Sequence, residues 1–344
     1  MIGTPRALWH LTALFLPLSV LACAKQAPTG ERIYVSNEHG NTVSVIDPAS
    51  GKLVQTIDVG RRPRGLALSP DKTKLYVAIS GSPIGGPGVD ESKLPPADRS
   101  ADGIAVIDVA TGKRDRVLKA GADPETFTVS SDGRTLVVSN EDTGEVSAVS
   151  VDGSHITITR KVGEQPEGVA IAPDGAHLFV ACEASDHVTM LDGRSLQVLR
   201  TIPLAGRPRG ALMSRDGKSV FISVENAGVI AVISASDGYV RKLIALAPGD
   251  KSVRPMGMVE APGHHLFVTT GRAGSIIEVD PESGKVVRTS KNVGTRPWGI
   301  ALSGDGETLL TANGPSNDVT VLNRATLAVM RRFAAGQGPW GITN

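Results

Sequence analysis

Apolar and polar residues alternate along most of this chain in short runs separated by turn formers. The stretch "GVAIAPDGAHLFVAC" (168–182) shows the unit: alternation, a turn at Pro173-Asp174-Gly175, then alternation again. A period of two marks half-buried β-strands, and Asp-Gly between two such runs predicts a hairpin. The same turn recurs at Asp132-Gly133, Asp216-Gly217 and Asp305-Gly306. A third strand such as "TVSVID" (42–47) follows, then a turn such as Asp47-Pro48-Ala49-Ser50-Gly51-Lys52, then a fourth strand such as "VQTIDVG" (54–60).

A marker, Pro-x-Gly, opens each unit. It stands at Pro63-Arg64-Gly65, Pro166-Glu167-Gly168, Pro208-Arg209-Gly210, Pro255-Met256-Gly257, Pro297-Trp298-Gly299 and Pro339-Trp340-Gly341, with Pro124-Glu125-Thr126 as a variant. The prolines are 61, 42, 42, 47, 42 and 42 residues apart. Four antiparallel strands in about 42 residues make one blade of a propeller. Seven markers predict seven blades, yet the last marker begins only a strand, "PWGITN", before Asn344. The missing strands stand at the other end, where "RIYVSNEHGNTVSVIDPASGKLVQTIDVG" (32–60) supplies strands two to four and no strand one. The predicted fold is therefore an all-β seven-bladed β-propeller of four-stranded antiparallel blades. The N- and C-terminal strands share one blade and close the ring, pairing edges that an open array leaves bare.

That same stretch, 32–60, resembles the YVTN-type repeat of exported bacterial and archaeal propellers, and the likeness extends over nearly all of residues 31–344. Within that group the chain resembles the periplasmic propeller proteins associated with pyrroloquinoline quinone (PQQ)-dependent catabolism. The resemblance implies a quinoprotein context, with a periplasmic quinoprotein dehydrogenase or another exported protein as partner.

The N-terminus departs from the pattern. Arg6 precedes an apolar run from Leu11 to Ala22, too short to span a bilayer, which reads as a signal peptide. Ala22-Cys23-Ala24 is an A-x-A cleavage site, while Val20-Leu21-Ala22-Cys23 resembles a lipobox that would make Cys23 an acylated first residue. The division expected is a signal at 1–24, a linker at 25–30 and the propeller at 31–344, with a periplasmic or extracellular location. The membrane enters only through a lipid anchor at Cys23. Removing residues 1–22 takes away Arg6 and leaves 35 basic against 35 acidic residues, a balance that gives no support to nucleic-acid binding. The only other cysteine is Cys182, so an intrachain disulfide is not expected.

Strand order places the markers and the ends of the second strands on one face, near the channel. The residues before the prolines are Arg62, Asp123, Gln165, Arg207, Arg254, Arg296 and Gly338; those after are Arg64, Glu125, Glu167, Arg209, Met256, Trp298 and Trp340. Glu38, Glu141, Glu183 and Glu225 end the second strands on the same face. Six arginines with two tryptophans suit a planar polyanion such as PQQ or another planar carboxylate, because guanidinium groups grip carboxylates and indoles stack on flat groups. The candidate ligand residues are Arg62, Arg64, Arg207, Arg209, Arg254, Arg296, Trp298, Trp340 and Glu38. The alternative is structural: Arg62, Arg64, Arg207 and Arg209 pair with the four glutamates, and the indoles fill space between blades.

The long first spacing comes from "GSPIGGPGVDESKLPPADRSADG" (81–103), a loop predicted on the same face as a cover, a docking element or a solvated, proline-stiffened segment. Its acids Asp90, Glu91, Asp98 and Asp102 lack EF-hand spacing. No H-E-x-x-H, C-x-x-C, C-x-x-C-H, G-x-S-x-G or P-loop motif occurs in the chain. The function expected is a non-catalytic binding or scaffold protein beside a quinoprotein system. Two alternatives stand: a lactonase-like hydrolase assembled from Glu38, His39, Arg64 and Arg209, and a cell-surface interaction module without a small ligand.

Overall fold

The alternating runs fold into seven four-stranded antiparallel sheets. The structure, a computed structural model, describes residues 1–3, 30–85 and 89–344; the predicted leader and Cys23 lie outside the described residues. Among the described residues no helix is long and apolar enough to cross a membrane.

Blade one is the shared blade. Pro339–Thr343 pairs with Ile33–Asn37, and Thr42–Ile46 and Leu53–Asp58 complete the sheet. Tyr34 faces Thr343 and Val35 faces Ile342, so the two ends of the chain are hydrogen-bonded into one ladder. Blades two to seven follow in chain order. Their inner strands are Leu66–Leu68, Pro124–Val129, Pro166–Ile171, Pro208–Met213, Met258–Glu260 and Pro297–Leu302. These strands and Pro339–Thr343 contact one another in turn around a central channel.

Burial falls off outward. The second strands, such as His177–Cys182, are almost wholly buried, whereas outermost strands such as Leu53–Asp58 are mostly exposed. The core lies between blades: Phe179, Val188 and Ile202 of blade four pack with Val220, Ile222 and Ala231 of blade five. The Asp-Gly turns form as predicted, with Gly133, Gly175, Gly217 and Gly306 at φ of 70–74°. Each turn aspartate accepts a backbone N–H two residues on, as Asp174 does from Ala176 at 2.9 Å.

The marker has a geometry that its pattern did not reveal. In five blades the inner strand begins at the marker proline and bulges immediately after it. Pro166 faces Cys182 but Val169 faces Val180, so Glu167 and Gly168 share the space opposite Ala181. A bulge re-aims side chains, and here it turns the residue after proline toward the channel. In blades two and six the ladder starts only after the marker, at Leu66 and Met258. There the backbone of the marker bonds to the second strand individually, as Arg64 N–H does to Ala78 O at 2.9 Å.

The glycine lets the bulges touch. A Cβ on Gly168 would lie 2.3 Å from Arg209 O, and one on Gly299 would lie 2.7 Å from Trp340 O. At these glycines the inner strands of neighbouring blades therefore meet backbone to backbone, with no room for a side chain. Second-strand hydroxyls lock several of these junctions. Ser223 Oγ accepts from Gly210 N–H and donates to Met256 O, each at 2.8 Å, and Ser36 does the same between Gly341 and Arg64. Where blade three has Thr126 in place of glycine, its hydroxyl donates to Glu167 O at 2.6 Å.

This contact predicts the outcome of one small change. Gly168→Ala should lower unfolding stability by about 1–3 kcal/mol, the usual cost of overpacking, measured by denaturant titration. Unchanged stability would show that the ring is loose enough to absorb a methyl group.

Candidate functional site

The marker face is built from strained backbone. Arg62, Asp123, Gln165, Arg207 and Arg296, each just before a marker proline, have left-handed φ of 46°, 55°, 49°, 69° and 51°, and Gly338 follows suit at 67°. Side chains on the preceding blades hold several of them there: Asp186 accepts from Arg207 N–H at 2.8 Å and Asn41 from Arg62 N–H at 3.0 Å. The glutamates that end the second strands are tied to the same residues. Glu141, Glu183 and Glu225 donate their N–H groups to the carbonyls of Asp123, Gln165 and Arg207. The predicted ring of arginines and acids therefore does share one mouth.

The arginines do not form a free polycation there. Arg64 is buried, 1% exposed, and meets Asp123, Glu125 and Glu141, the last at 3.1 Å; it also donates to Pro124 O at 2.9 Å. Arg62 joins this first cluster by donating to Glu38 at 2.9 Å. Arg209 anchors a second cluster, gripping Glu167 through two bonds of 2.6 and 2.8 Å and reaching Glu183 and Glu225 at 3.3 and 3.2 Å. Arg207 pairs with Glu183 and Glu225, and Arg254 donates to Glu225 and Asn226 at 3.1 and 2.6 Å. Glu38 and Arg64 thus belong to one cluster and Arg209 to the other.

Titration follows burial. Burial pushes the carboxyls of Glu125 and Glu167 well above their usual range, against the pull of Arg64 and Arg209. Burial also acts to raise Glu183, but the hydrogen bond with Glu167 and the guanidinium groups of Arg209 and Arg207 outweigh it and hold that carboxyl low. The two carboxyls are thus displaced in opposite directions, Glu167 up and Glu183 down. Asp123 and Glu225 are likewise held low, since nearby arginines outweigh the burial that opposes them.

The other side of the mouth differs. Blades one, three, four and five end their second strands with a glutamate; the corresponding places on blades two, six and seven hold Ser80, Thr270 and Gly314. A Cβ on Gly314 would lie 3.3 Å from Trp298 Nε1, so the indole occupies the space an acidic side chain takes elsewhere. Trp298 stacks on Trp340 with centroids 6.2 Å apart and planes 26° apart, and it lies beneath Arg209 and Arg296 at 5.3 and 5.2 Å. Among the described residues Arg296 makes no ion pair, and the same holds for Arg272 in the short turn Gly271–Ala273. Burial lowers the Arg296 guanidinium from its ordinary value, and repulsion from Arg272, Arg209 and Arg254 adds to the effect.

A channel cavity of about 300 Å³ opens beneath this mouth. Glu167, Arg209, Trp298 and Trp340 form its polar rim; Phe127, Leu212, Met258 and Ile300 are among its apolar walls. The described parts of the long loop, residues 81–85 and 89–103, lie at the edge of the same face. Asp102 accepts from Gly81 N–H at 2.7 Å, Asp123 N–H at 3.1 Å and Arg99 at 3.0 Å, fixing the base of the segment beside the first ion cluster. Among the described residues no three acids, histidines or cysteines gather as metal ligands. Cys182 is buried and its thiol is pushed up to about 12 by burial, which leaves it unreactive.

Comparison with known proteins agrees on architecture. The YNCE-like beta-propeller family model matches residues 90–214. The chain is a β-propeller repeat protein. It is 32% identical over 112 residues to Antigen Lp49 of Leptospira interrogans, covering 33% of this chain and 24% of that protein. It therefore spans about a quarter of the length of the curated relative it matches. Among solved structures it is similar to the periplasmic gluconolactonase of Pseudomonas aeruginosa, at 21% identity and a TM-score of 0.71 over 91% of this chain and 98% of that one. It is similar also to the hydrazine synthase of Kuenenia stuttgartiensis, at 20% identity and a TM-score of 0.66 over 81% of this chain and 88% of that one. At such identities the likeness is one of fold.

Two substitutions separate the structural arginines from the free one. Arg64→Met should cost about 3–5 kcal/mol at neutral pH, because it strands buried carboxylates. Asp123 is held low in the folded state, so its contribution is present above its unfolded value of about 3.9 and lost as the pH falls through the lowered one. The Arg64→Met deficit should accordingly shrink below about pH 4. Arg296→Gly removes no ion pair and relieves a left-handed residue, so stability should stay within about 1 kcal/mol of the parent. Thermal unfolding across pH checks both; a large loss in Arg296→Gly would make that arginine structural.

Proposed function

We propose that this chain is an exported, non-catalytic binding or scaffold protein whose channel mouth takes a small organic anion. One observation carries this reading. The aromatic side of the mouth keeps a guanidinium without an acidic partner among the described residues, Arg296, against the ring of Trp298, which stacks on Trp340 and lines the cavity with it. Anions favour such a place because the cation is already partly desolvated and like charges crowd it. The apolar run ending at Ala22-Cys23-Ala24 supports export, with acylation at Cys23 as the membrane link. The resemblance to the periplasmic propellers associated with PQQ-dependent catabolism supports a quinoprotein partner, which the 81–103 loop would contact.

The remaining candidate residues take a supporting role under this reading. Arg62, Arg64, Arg207 and Arg209 are committed to carboxylates, and Glu38 to Arg62. With Arg254, which is held by Glu225 and Asn226, they fix the shape of the mouth and leave recognition to Arg296, Trp298 and Trp340.

A second reading, lactone hydrolysis, draws on a separate observation. Glu167, at the rim, and the buried Glu183 beside it have environments that push their carboxyls in opposite directions, the arrangement that provides one acid and one base. The fold likeness to a gluconolactonase points the same way.

Calorimetric titration with PQQ and simple aromatic carboxylates, beside a turnover assay on gluconolactone, separates the two. The binding reading expects saturable heat that weakens by about tenfold in Arg296→Gln, and no turnover above buffer. Turnover that disappears in Glu167→Gln would replace it with the hydrolase.

A further inference from the structure

The arrangement of charge and apolar surface narrows the ligand class, on the assumption that the mouth is a ligand site at all. We infer that the site takes an aromatic or alicyclic monocarboxylate, its carboxylate on the Arg296 side and its apolar body in the channel, and that it discriminates against polycarboxylates.

The argument starts from what the two halves of the mouth offer. The half made by blades six, seven and one presents donors: the Arg296 and Arg272 guanidinium groups and the indole N–H groups of Trp298 and Trp340, none of which has a hydrogen-bond partner among the described residues. Glu183 pairs with Arg207 and Glu225 with Arg254, each on the next blade, and Thr270 stands where the same relation would give Arg296 an acid. One carboxylate placed here gains charge-assisted hydrogen bonds and relieves the repulsion among neighbouring arginines. A second carboxylate has no such place. Across the rim stands Glu167, flanked by Glu183 and Glu125, and each nearby arginine there already serves an acid.

The space beneath sets the rest of the molecule. The walls are apolar, with Leu66, Phe127, Leu212, Met258, Ile300 and Ile342 contributed by different blades. At about 30 Å³ per water molecule, a cavity of about 300 Å³ has the room of roughly ten waters. A single ring with one carboxylate fits that volume. Burying its ring against these walls provides the affinity that an isolated carboxylate lacks.

Benzoate, acetate, benzyl alcohol and benzene-1,3,5-tricarboxylate separate these terms by calorimetry on the purified protein. Benzoate should bind at least about tenfold more tightly than each of the other three. Thr270→Glu, which restores the acid found on four other blades, should bind benzoate about tenfold or more weakly than Thr270→Gln, of equal size, which controls for the change of shape. The inference is overturned if the tricarboxylate or acetate matches benzoate, or if the Glu and Gln variants behave alike. Binding of PQQ without benzoate would also overturn it while leaving the mouth a ligand site. Silence across the whole panel, PQQ included, would remove both this inference and the binding reading on which it rests.

Discussion

The structure depends on seven inner strands meeting backbone to backbone around a channel. That approach is possible because six of the seven markers carry glycine where the next blade's carbonyl arrives, and in five blades the inner strand bulges there. A methyl group on Gly168 would come within 2.3 Å of Arg209 O. The bulge that creates this contact also turns the residue after proline inward, so the packing constraint and the chemistry of the mouth have one origin. Closure follows from the same geometry. Pro339–Thr343 must fill the inner place of blade one, otherwise the ring has a gap and Ile33–Asn37 an unpaired edge.

The mouth shows how a repeat acquires asymmetry. Going round from blade one, the residues after proline are Trp340, Arg64, Glu125, Glu167, Arg209, Met256 and Trp298. Two arginines enclose two buried acids, and the opposite side is aromatic and apolar. In a buried setting the acidic side is self-contained, because stranding any of its charges costs several kcal/mol. That leaves recognition to the side where Thr270 and Gly314 replace glutamate.

Much of this was legible in the sequence. A period of 42 residues, a strand-turn-strand pattern and an unfinished final unit suffice for the number of blades and for their closure, since those depend on local alternation and chain topology. The shared face of the arginines and glutamates was also readable from strand order. So was the structural alternative, since Arg62, Arg64, Arg207 and Arg209 do pair with Glu38, Glu141, Glu183 and Glu225. What periodicity hid is the part played by Asp123, Glu125 and Glu167, because how near they come to Arg64 and Arg209 depends on a bulge. A signal did exist: Glu follows the second strand on blades one, three, four and five, and its replacement by Gly314 coincides with Trp298. A comparison between repeats would have singled out that blade.

The central claim is that the Arg296–Trp298–Trp340 side of the mouth is where a ligand's carboxylate lies. Indole N–H resonances of ¹⁵N-labelled protein, assigned through Trp298→Phe and Trp340→Phe, report on that place directly. Adding benzoate should shift both signals together and saturably, with the Trp9 signal, wherever that residue is retained, unmoved. Binding detected by calorimetry while both indole signals stay fixed would put the ligand elsewhere and contradict this account.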